Sequence, residues 1–322
     1  MKAVRLHRYG SPDLLQLEEI DSPAPGAHEV LVCVHAACVH PGDWMIVTGR
    51  PYAVRLLFGP FRPWKSIPGF DLAGRVEAVG RNVTEFTPGD EIFGYCYAPC
   101  AEYACVAEDK LVRKPDRLTF EEAAAVALNG CVALTAIRDR AKAKPGQKVL
   151  INGASGGVGT FAVQMAKSRG AEVTGVCSGG NAELVRSIGA DRVIDYTRED
   201  FTAAEERYDF ILDNAGSHSL AELRRTLAPG GIAVPNNSSS GSRWIGNFAQ
   251  VASAVMLSFF LPKQGRPFVG LPNKERLTAV RDLIECGEVT PVIDRTYPLS
   301  ETSEAIAYVG NGHSRGNVVV TV

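Results

Sequence analysis

The sequence has no excess of charge of either sign. Its 322 residues include 34 lysines and arginines against 36 aspartates and glutamates, which gives a formal net charge of −2. Proteins that bind the phosphates of nucleic acid usually present a broad basic field, so we expect no nucleic-acid partner. The chain is 45% hydrophobic and 22% charged, which is typical of a globular α/β enzyme and excludes a disordered or fibrous protein.

The apolar core of a signal peptide is also missing. Residues 1–20 alternate like a strand, whereas a signal peptide needs an uninterrupted apolar run of about 7–15 residues. We therefore expect a cytoplasmic protein whose eight cysteines are reduced, because most of them stand in apolar runs as small hydrophobic residues do.

One long apolar stretch, 244–261, stands out. It is nearly long enough to cross a bilayer, but four polar residues interrupt it, namely Asn247, Gln250, Ser253 and Ser258. A helix at a pocket or at a subunit interface is the interpretation that we favour over a membrane span. We expect no membrane association, and we expect a homodimer.

The length and the changing sequence pattern predict two domains. Residues 1–124 contain many short β-rich runs separated by Gly, Pro and Asp, which predicts a mainly β domain. Across 125–262, strand-like and helix-like runs alternate, which predicts right-handed βαβ crossovers and a parallel sheet covered on both faces. Residues 263–322 return to a mixed pattern and are expected to complete the first domain.

A glycine-rich turn lies near the start of the second domain. The phrase VLINGASGGVG (149–159) follows a strand pattern, precedes a helix pattern and contains Ala-x-Gly-x-x-Gly. Glycines there permit a tight turn and let backbone N–H groups approach a pyrophosphate, which the positive end of the helix stabilises. The sequence therefore predicts dinucleotide binding, although a packing turn without a ligand has the same pattern. The candidate residues are Ala154, Ser155, Gly156, Gly157, Val158 and Gly159.

The end of the next strand pattern has no carboxylate. NAD-selective proteins carry Asp or Glu about 20 residues after the glycine turn, where it bonds the ribose hydroxyl. Here Cys177 and Ser178 stand at that place. A carboxylate would repel a 2′-phosphate, whereas Ser178, Asn181 and the backbone N–H groups of Gly179 and Gly180 can receive one. The loop therefore predicts NADPH as the cofactor.

A basic residue to hold the phosphate is absent from this loop. Tyr196 and Arg198, which follow the next strand pattern in VIDYTRED, are the candidates for that role. The alternative is that they form a solvated surface pair.

Several segments, in a fixed order, carry a family resemblance. They are HPGDW (40–44), IPGFDLAGRVEAVGRNVTEFTPGDEIFG (67–94), VLINGASGGVGTFAVQMAK (149–167), ILDNAG (211–216), TPVIDRTYPLSETSEAI (290–306) and HSRGNVVVTV (313–322). Together they resemble the zinc-free quinone oxidoreductase-like branch of the medium-chain dehydrogenase/reductase superfamily. The resemblance implies a GroES-like, mainly β catalytic domain formed by both chain ends. It also implies a Rossmann domain with a doubly wound parallel sheet between them, and a cleft for the nicotinamide.

Two positions depart from the zinc-dependent members of that superfamily. Those members bind catalytic zinc with the Cys of a C-x-x-D phrase and the His of a G-H-E phrase, and this sequence has His40 and Phe70 there. A phenylalanine cannot ligate a metal. Cys96, Cys100 and Cys105 do not reproduce the four cysteines of the structural-zinc lobe. We therefore expect no metal site.

The resemblance also implies which side chains surround the nicotinamide. It places His40 beside the ring, where a histidine can hydrogen-bond a substrate carbonyl or supply a proton. The alternative is a histidine that only packs and hydrogen-bonds its neighbours. Trp44 and Tyr52 are candidate site residues that we expect to line the pocket.

Further cofactor contacts follow from the same resemblance. The residues are Asn129, Thr135, Asn214 and Gly216 for the nicotinamide and Arg315 for the pyrophosphate. An exposed arginine without a ligand is the alternative for Arg315.

The implied chemistry is hydride transfer to an electrophilic carbon. A quinone or an α,β-unsaturated carbonyl can take hydride and then a proton from water or from a weak donor such as His40, and needs no zinc to polarise its oxygen. We therefore expect a zinc-independent NADPH:quinone or enone oxidoreductase. Two alternatives remain open: a zinc-free NADP-dependent alcohol or ketone dehydrogenase, and an NADPH-binding protein with a structural or sensing role and little turnover.

Overall fold

The computed structural model describes residues 1–64, 66–236 and 270–322. The chain divides into two compact units. Unit 1 consists of Met1–Cys131 and Leu271–Val322, and unit 2 of Val132–Gly270. The apolar stretch 244–261 and most of the polar segment before it lie outside the described residues. Within the described ranges, no helix is both long enough and apolar enough to cross a membrane.

Unit 1 is built on β-strands. They are β1 (Lys2–Arg5), β2 (Gln16–Glu19), β3 (Glu29–Val39), β4 (Asp71–Val79), β5 (Glu91–Tyr95), β6 (Tyr103–Ala107), β7 (Leu111–Arg113), β13 (Ile293–Pro298) and β14 (Asn317–Thr321). The main sheet of the described residues has the order β13-β14-β3-β4-β5-β7, with β6 also paired to β3, while β1 and β2 form a separate hairpin. Strand β14 from the C-terminal segment pairs antiparallel with β3 from the N-terminal segment. Both ends of the chain therefore build one sheet.

The helices around this sheet are short. They are α1 (Pro41–Thr48), α2 (Val54–Phe58), α3 (Phe120–Ala124), α4 (Ala127–Leu134), α8 (Lys274–Glu285) and α9 (Thr302–Gly310). Thr119 starts α3 with a capping box, in which its hydroxyl accepts the Glu122 backbone N–H while the Glu122 carboxylate accepts the Thr119 N–H. Alternating apolar positions of β3 bury Val30, Val32 and Val34 in one core cluster, as expected for a strand with one covered face.

Unit 2 has a parallel sheet. Its described strands are β8 (Lys148–Asn152), β9 (Glu172–Cys177), β10 (Arg192–Asp195), β11 (Tyr208–Asp213) and β12 (Leu227–Pro235). Their spatial order is β10-β9-β8-β11-β12. From β8 the chain adds β9 and β10 on one side and then β11 and β12 on the other, as in doubly wound nucleotide-binding sheets. Its described helices are the π-helical turn Thr135–Ala141, α5 (Gly157–Ser168), α6 (Ala182–Ser187) and α7 (Leu220–Arg225). The expected mixed α/β class is confirmed, with one mainly β unit and one unit built on a doubly wound parallel sheet.

The glycine turn between β8 and α5 depends on close backbone contact. Gly153 has a φ of 77°, a left-handed conformation that favours glycine. A Cβ on Gly159 would collide with the Gly153 carbonyl oxygen and the Ala154 backbone. The last glycine of the motif is therefore required for packing of α5 against the end of β8.

The cysteines lie mostly in the interior, and no disulfide joins any of the eight, all of which fall within the described residues. Burial raises the pKa of the Cys33, Cys38, Cys100 and Cys177 thiols, and it raises the pKa of Cys105 to about 11. Cys286, at the end of α8, is the exposed one.

Candidate functional site

The HPGD phrase forms the start of helix α1, in unit 1. His40 is the N-cap residue, and its backbone N–H donates to Asp43 Oδ2 at 2.8 Å. The other Asp43 oxygen accepts the Gly69 N–H at 2.7 Å. Burial raises the pKa of Asp43 to about 6, although His40 and these two N–H donors oppose the shift. Asp43 thus joins the start of α1 to the loop that carries Gly69.

His40 faces a buried carboxylate. Its Nε2 lies 3.2 Å from Asp71 Oδ2, and the two residues are only 4% and 0% exposed. The same Asp71 oxygen accepts the Leu128 N–H, from the first turn of α4, at 2.8 Å. Asp71 Oδ1 is buried and has no hydrogen-bond partner, so this carboxylate has spare acceptor capacity next to the histidine.

The charges of this pair depend on each other. Burial by itself lowers the pKa of His40, but Cys38 and the Asp71 carboxylate raise it, and the net pKa is well above its ordinary value. Burial raises the pKa of Asp71, while the contact with His40 and the Leu128 N–H act in the opposite direction. The arrangement can therefore hold a proton in an otherwise apolar interior.

A chain of amides continues from the other ring nitrogen of His40. Asn129 Nδ2 lies 3.4 Å from His40 Nδ1 and donates to Asn317 Oδ1 at 2.6 Å. Asn317 in turn donates to the Val292 carbonyl at 2.9 Å. In the neutral imidazole with its proton on Nε2, Nδ1 can accept from this amide, whereas in the protonated ring both nitrogens are donors. The contact of Asn129 with a nicotinamide stays a prediction.

Phe70, at the second position of the G-F-D phrase, packs among aromatic rings. Its ring stacks on Tyr95, with centroids 6.1 Å apart, and meets the edge of Tyr97 at 5.6 Å. Burial and a hydrogen bond with Tyr97 raise the pKa of the Tyr95 hydroxyl. Among the residues that the structure describes, no group of three or more His, Cys, Asp or Glu side chains is arranged to hold a metal ion.

A cavity of about 310 Å³ opens beside this turn within unit 1. Asp43, Gly69 and Phe70 line one side of it. Most of its remaining walls are apolar side chains from α1, α2 and the loops that follow, including Ile46, Val47, Leu57, Phe58, Trp64 and Tyr97. Its polar lining includes Asp43 of the HPGD turn, as in small-molecule sites that orient an apolar ligand with a few polar contacts.

Trp44 and Tyr52 occupy different surroundings. Trp44 is half-buried against a core cluster of unit 1, and a Cβ on Gly310 of α9 would strike its indole ring. Neither Trp44 nor Tyr52 is among the described residues that line the cavity. The Tyr52 ring lies under the Arg55 guanidinium, 4.8 Å from its carbon. Their proximity to a nicotinamide stays a prediction.

In unit 2, the residues predicted to hold the dinucleotide gather at the carboxyl edge of the sheet. The turn 153–159 leads into the N-terminus of α5, which favours an anion. Asn181 Nδ2 donates to Ser155 Oγ at 3.0 Å and joins the loop after β9 to this turn. Asn181 Oδ1 is buried without a hydrogen-bond partner. The close glycine turn and this spare acceptor fit a bound dinucleotide.

The neighbouring strand β11 brings a second polar group to the same edge. Asp213 Oδ1 accepts from Asn152 Nδ2 at 2.7 Å and from the Gly216 N–H at 2.9 Å. Asn214 Oδ1 accepts from Asn236 at 2.8 Å, while Asn214 Nδ2 is buried with no hydrogen-bond partner. Asn214 and Gly216 therefore lie at the carboxyl end of the strand next to the glycine turn.

Thr135 and Arg315 are the remaining residues with predicted cofactor contacts. Thr135 is buried at the start of the π-helical turn of unit 2. Arg315 is exposed in unit 1, and its backbone N–H donates to Asp294 at 2.8 Å. Their cofactor contacts stay predictions.

Three residues in these sites were not anticipated from the sequence. Asp71 and Asn317 complete the polar chain around His40, and Asp195 lies beside the loop after β9. Asp71 had a visible signal, because it is the acidic residue of the G-F-D phrase within an otherwise apolar run. Asp195 directly follows an apolar strand pattern, which is where parallel strands present polar groups.

Comparisons with known proteins identify the family of the chain. The alcohol dehydrogenase GroES-like domain model matches residues 26–116, and the zinc-binding dehydrogenase model matches residues 188–320. The chain is 31% identical to the chloroplast envelope quinone oxidoreductase homolog of Arabidopsis thaliana, over 99% of this chain and 98% of that protein. It is 32% identical to the mitochondrial NAD(P)H oxidoreductase RTN4IP1 of Mus musculus, over 100% and 89% respectively.

A solved structure has the same fold throughout. The quinone oxidoreductase from Coxiella burnetii superposes with a TM-score of 0.84 and 28% identity, covering 100% of this chain and 99% of that one. The resemblance seen in the sequence motifs is thereby confirmed. The chain belongs to the quinone oxidoreductase-like branch of the medium-chain dehydrogenase/reductase superfamily, whose members are NAD(P)H-dependent oxidoreductases.

Proposed function

We propose that this protein uses NADPH to reduce a quinone or an α,β-unsaturated carbonyl compound, without zinc. The observation that carries the proposal is the apolar cavity of about 310 Å³ against the HPGD turn. Its volume is at the lower end of the range of about 300–1,000 Å³ for small-molecule sites. Aromatic and aliphatic walls favour an uncharged ring, and the few polar groups near Asp43 can orient its oxygen.

Phe70 and His40 support the zinc-free part of the proposal. Phe70 packs its ring against two tyrosines and has no atom that can ligate a metal. His40 Nε2 lies against Asp71 rather than in a group of ligands. A conjugated carbonyl accepts hydride at carbon without the Lewis acid that an alcohol dehydrogenase uses to polarise oxygen.

The cofactor part rests on unit 2. The residues that would hold a dinucleotide are the glycine turn 153–159, the N-terminus of α5 and the loop after β9, with Ser178 facing the ribose. When bound, the nicotinamide supplies the hydride. The absence of a carboxylate at Ser178 supports NADPH over NADH by a factor of about ten, or ~1.4 kcal/mol.

After hydride transfer the reduced acceptor needs a proton, and His40 is the candidate group to supply it. Asp71 can stabilise a proton on its Nε2, while Pro41 restricts the turn that positions the ring. We propose that His40 tunes catalysis as a polar group or proton source, and that water can replace it in part.

The same His40–Asp71 pair favours a second candidate, a zinc-free ketone or alcohol dehydrogenase. A protonated imidazole can polarise an isolated carbonyl, which is the task of zinc in related enzymes. The two candidates differ in their acceptors, because a simple ketone lacks the conjugated double bond.

A panel of electron acceptors distinguishes them. NADPH oxidation is followed at 340 nm with a small quinone, an α,β-unsaturated ketone, its saturated analogue and an aldehyde, before and after dialysis against a chelator. We expect turnover of the quinone or the unsaturated ketone, little turnover of the saturated analogue, and no effect of the chelator. Activity on the saturated ketone alone would favour the second candidate. Stoichiometric zinc that is lost together with activity would refute metal independence.

A further inference from the structure

The carboxyl end of strand β10 contributes a carboxylate to the loop predicted to bind the cofactor ribose. Asp195, the last residue of β10, pairs in register with Cys177, the last residue of β9. The next backbone N–H, that of Tyr196, donates to the Cys177 carbonyl at 3.2 Å. The Asp195 side chain is 20% exposed, so it faces the edge of the sheet rather than the core.

Asp195 contacts the loop that begins at Ser178. A Cβ built on Gly179 would lie 2.5 Å from Asp195 Oδ2, so this carboxylate lies directly against the Gly179 backbone. The Gly179 N–H is one of the groups that the sequence offers to a 2′-phosphate. A carboxylate of the protein already lies beside that residue.

The same carboxylate also contacts the basic residue nearest in sequence. Arg198 Nε lies 3.7 Å from Asp195 Oδ2. Asp195 Oδ1 accepts the Thr197 N–H at 3.0 Å and the Thr197 hydroxyl at 2.8 Å. The Thr197 bonds lower the pKa of Asp195, with smaller contributions from Arg198 and Gly179, so the group is ionised at neutral pH.

We propose that Asp195 determines cofactor specificity by restraining the preference for NADPH. Its carboxylate lies beside Gly179 and 3.7 Å from Nε of the largely exposed Arg198 side chain, and its charge opposes a 2′-phosphate of about −1.5 to −2 charge. The proposal rests on the proposed function, because it assumes that the loop after β9 receives the cofactor ribose. The carboxylate that the loop lacks is thus supplied by the adjacent strand.

The variant Asp195→Asn isolates this effect. The amide has nearly the same shape, and its Oδ1 can still accept from Thr197. It carries no charge, so it neither repels a phosphate beside Gly179 nor attracts the Arg198 guanidinium. The loop then receives the phosphate without a neighbouring carboxylate.

The experiment measures binding rather than turnover. Dissociation constants for NADPH and NADH are obtained by fluorescence titration of the wild-type protein and of D195N. We expect the ratio Kd(NADH)/Kd(NADPH) to rise about tenfold in D195N, because a like charge near the phosphate is removed. In the double variant with Arg198→Gln, part of this gain is lost.

Asp200→Asn is a matched control. Asp200 Oδ1 accepts the N–H and the hydroxyl of Thr202, each at 2.8 Å, as Asp195 does with Thr197. Asp200 also pairs with His218 at 3.3 Å. The control removes the same charge from the same type of turn, and its cofactor ratio should equal that of the wild type.

The possible results separate the two proposals. If wild-type protein binds both cofactors and the ratio in D195N stays within about threefold of the wild-type value, the role of Asp195 is refuted. An equal rise in D200N refutes it as well. If wild-type protein binds neither cofactor, the proposed function itself is overturned, and the inference with it. Asp195→Ser removes the same charge and replaces D195N if thermal melting shows that D195N does not fold.

Discussion

The imidazole of His40 and the carboxylate of Asp71 form a pair in which Nε2 and Oδ2 are 3.2 Å apart. Asp71 is the first residue of β4, and His40 directly follows β3. The antiparallel pairing of these strands places Cys38 opposite Asp71. The pair therefore belongs to the rigid sheet of unit 1, and a change in either residue should affect the other.

His40→Asn should lower kcat about tenfold and leave the affinity for NADPH nearly unchanged, because an amide can still hydrogen-bond a carbonyl but cannot carry the proton. His40→Ala should lose more, near the low end of the range of about 10²–10⁴ for general acid–base catalysis. Steady-state kinetics from pH 5 to 9, with NADPH titrations of each variant, provide the measurement. A kcat and a pH profile of His40→Ala equal to those of the wild type would remove the catalytic role.

Asp71→Asn should lower the pKa of His40. The amide oxygen can still accept the Leu128 N–H, but the charge that stabilises a protonated imidazole is lost, while burial of His40 continues to oppose charge. Histidine-selective NMR can follow the ring of His40 during a pH titration. The exposed His313 is the internal control. An unchanged His40 titration would show that Asp71 does not set its protonation.

Asp43 should make the protein less stable as the pH rises. Its pKa in the folded protein, about 6, exceeds the unfolded value of about 3.9, so the folded state binds more protons between these values. The contribution of Asp43 to stability is complete below about pH 4 and is lost as pH rises through about 6.

In Asp43→Asn no group titrates at this position. The free energy of unfolding of the wild type, relative to that of D43N, should therefore fall by about 2–3 kcal/mol from pH 4 to pH 7. Urea unfolding across this pH range measures it. Asp109→Asn, an exposed position of the same unit, is the control. Parallel stability curves for wild type and D43N would contradict the shift.

Leu57→Trp should restrict the cavity. Leu57 lines the cavity, whereas its neighbour Leu56 on α2 is also exposed but is not among the lining residues. We expect L57W to raise KM about tenfold for a bulky alkylated quinone and less for unsubstituted benzoquinone. L56W, which adds the same ring next to it, should change neither. Equal effects of both variants on both acceptors would mean that the cavity does not hold the substrate.

Ser178→Asp should reverse the cofactor preference. It adds a carboxylate at the end of β9, where it can bond a ribose hydroxyl and repel a 2′-phosphate. The ratio of the NADH and NADPH dissociation constants is the measurement, and Ser187→Asp, on the exposed end of α6, is the control. An unchanged ratio would show that the ribose does not lie at Ser178.

The local parts of the site could be predicted from the sequence. The glycine turn is a contiguous phrase between a strand and a helix, and its position at the start of α5 follows from short-range geometry. The substitution of Phe70 for a zinc ligand could also be predicted, because it depends on residue type alone.

The partners of these residues could not be predicted in the same way. His40 contacts Asp71 directly and Asn317 through Asn129, because β3 pairs with β4 on one side and with β14 on the other. The β3–β4 register contains two shifts, and a shift of one residue would place a different side chain beside His40. Asp195 could not be predicted for a similar reason. The sequence pattern places a ribose-binding carboxylate at the end of β9, whereas Asp195 lies on the parallel strand beside it.

Under the proposed function, the placement of the cysteines has a chemical consequence. Quinones and enones are electrophiles that alkylate thiolates by Michael addition. Raised pKa values keep Cys33, Cys38, Cys100, Cys105 and Cys177 in the less nucleophilic thiol form at neutral pH. Cys286, the exposed one, lies at the end of α8, away from the HPGD turn in sequence. With the substrates proposed above, we therefore expect covalent adducts at this surface thiol before the less exposed ones.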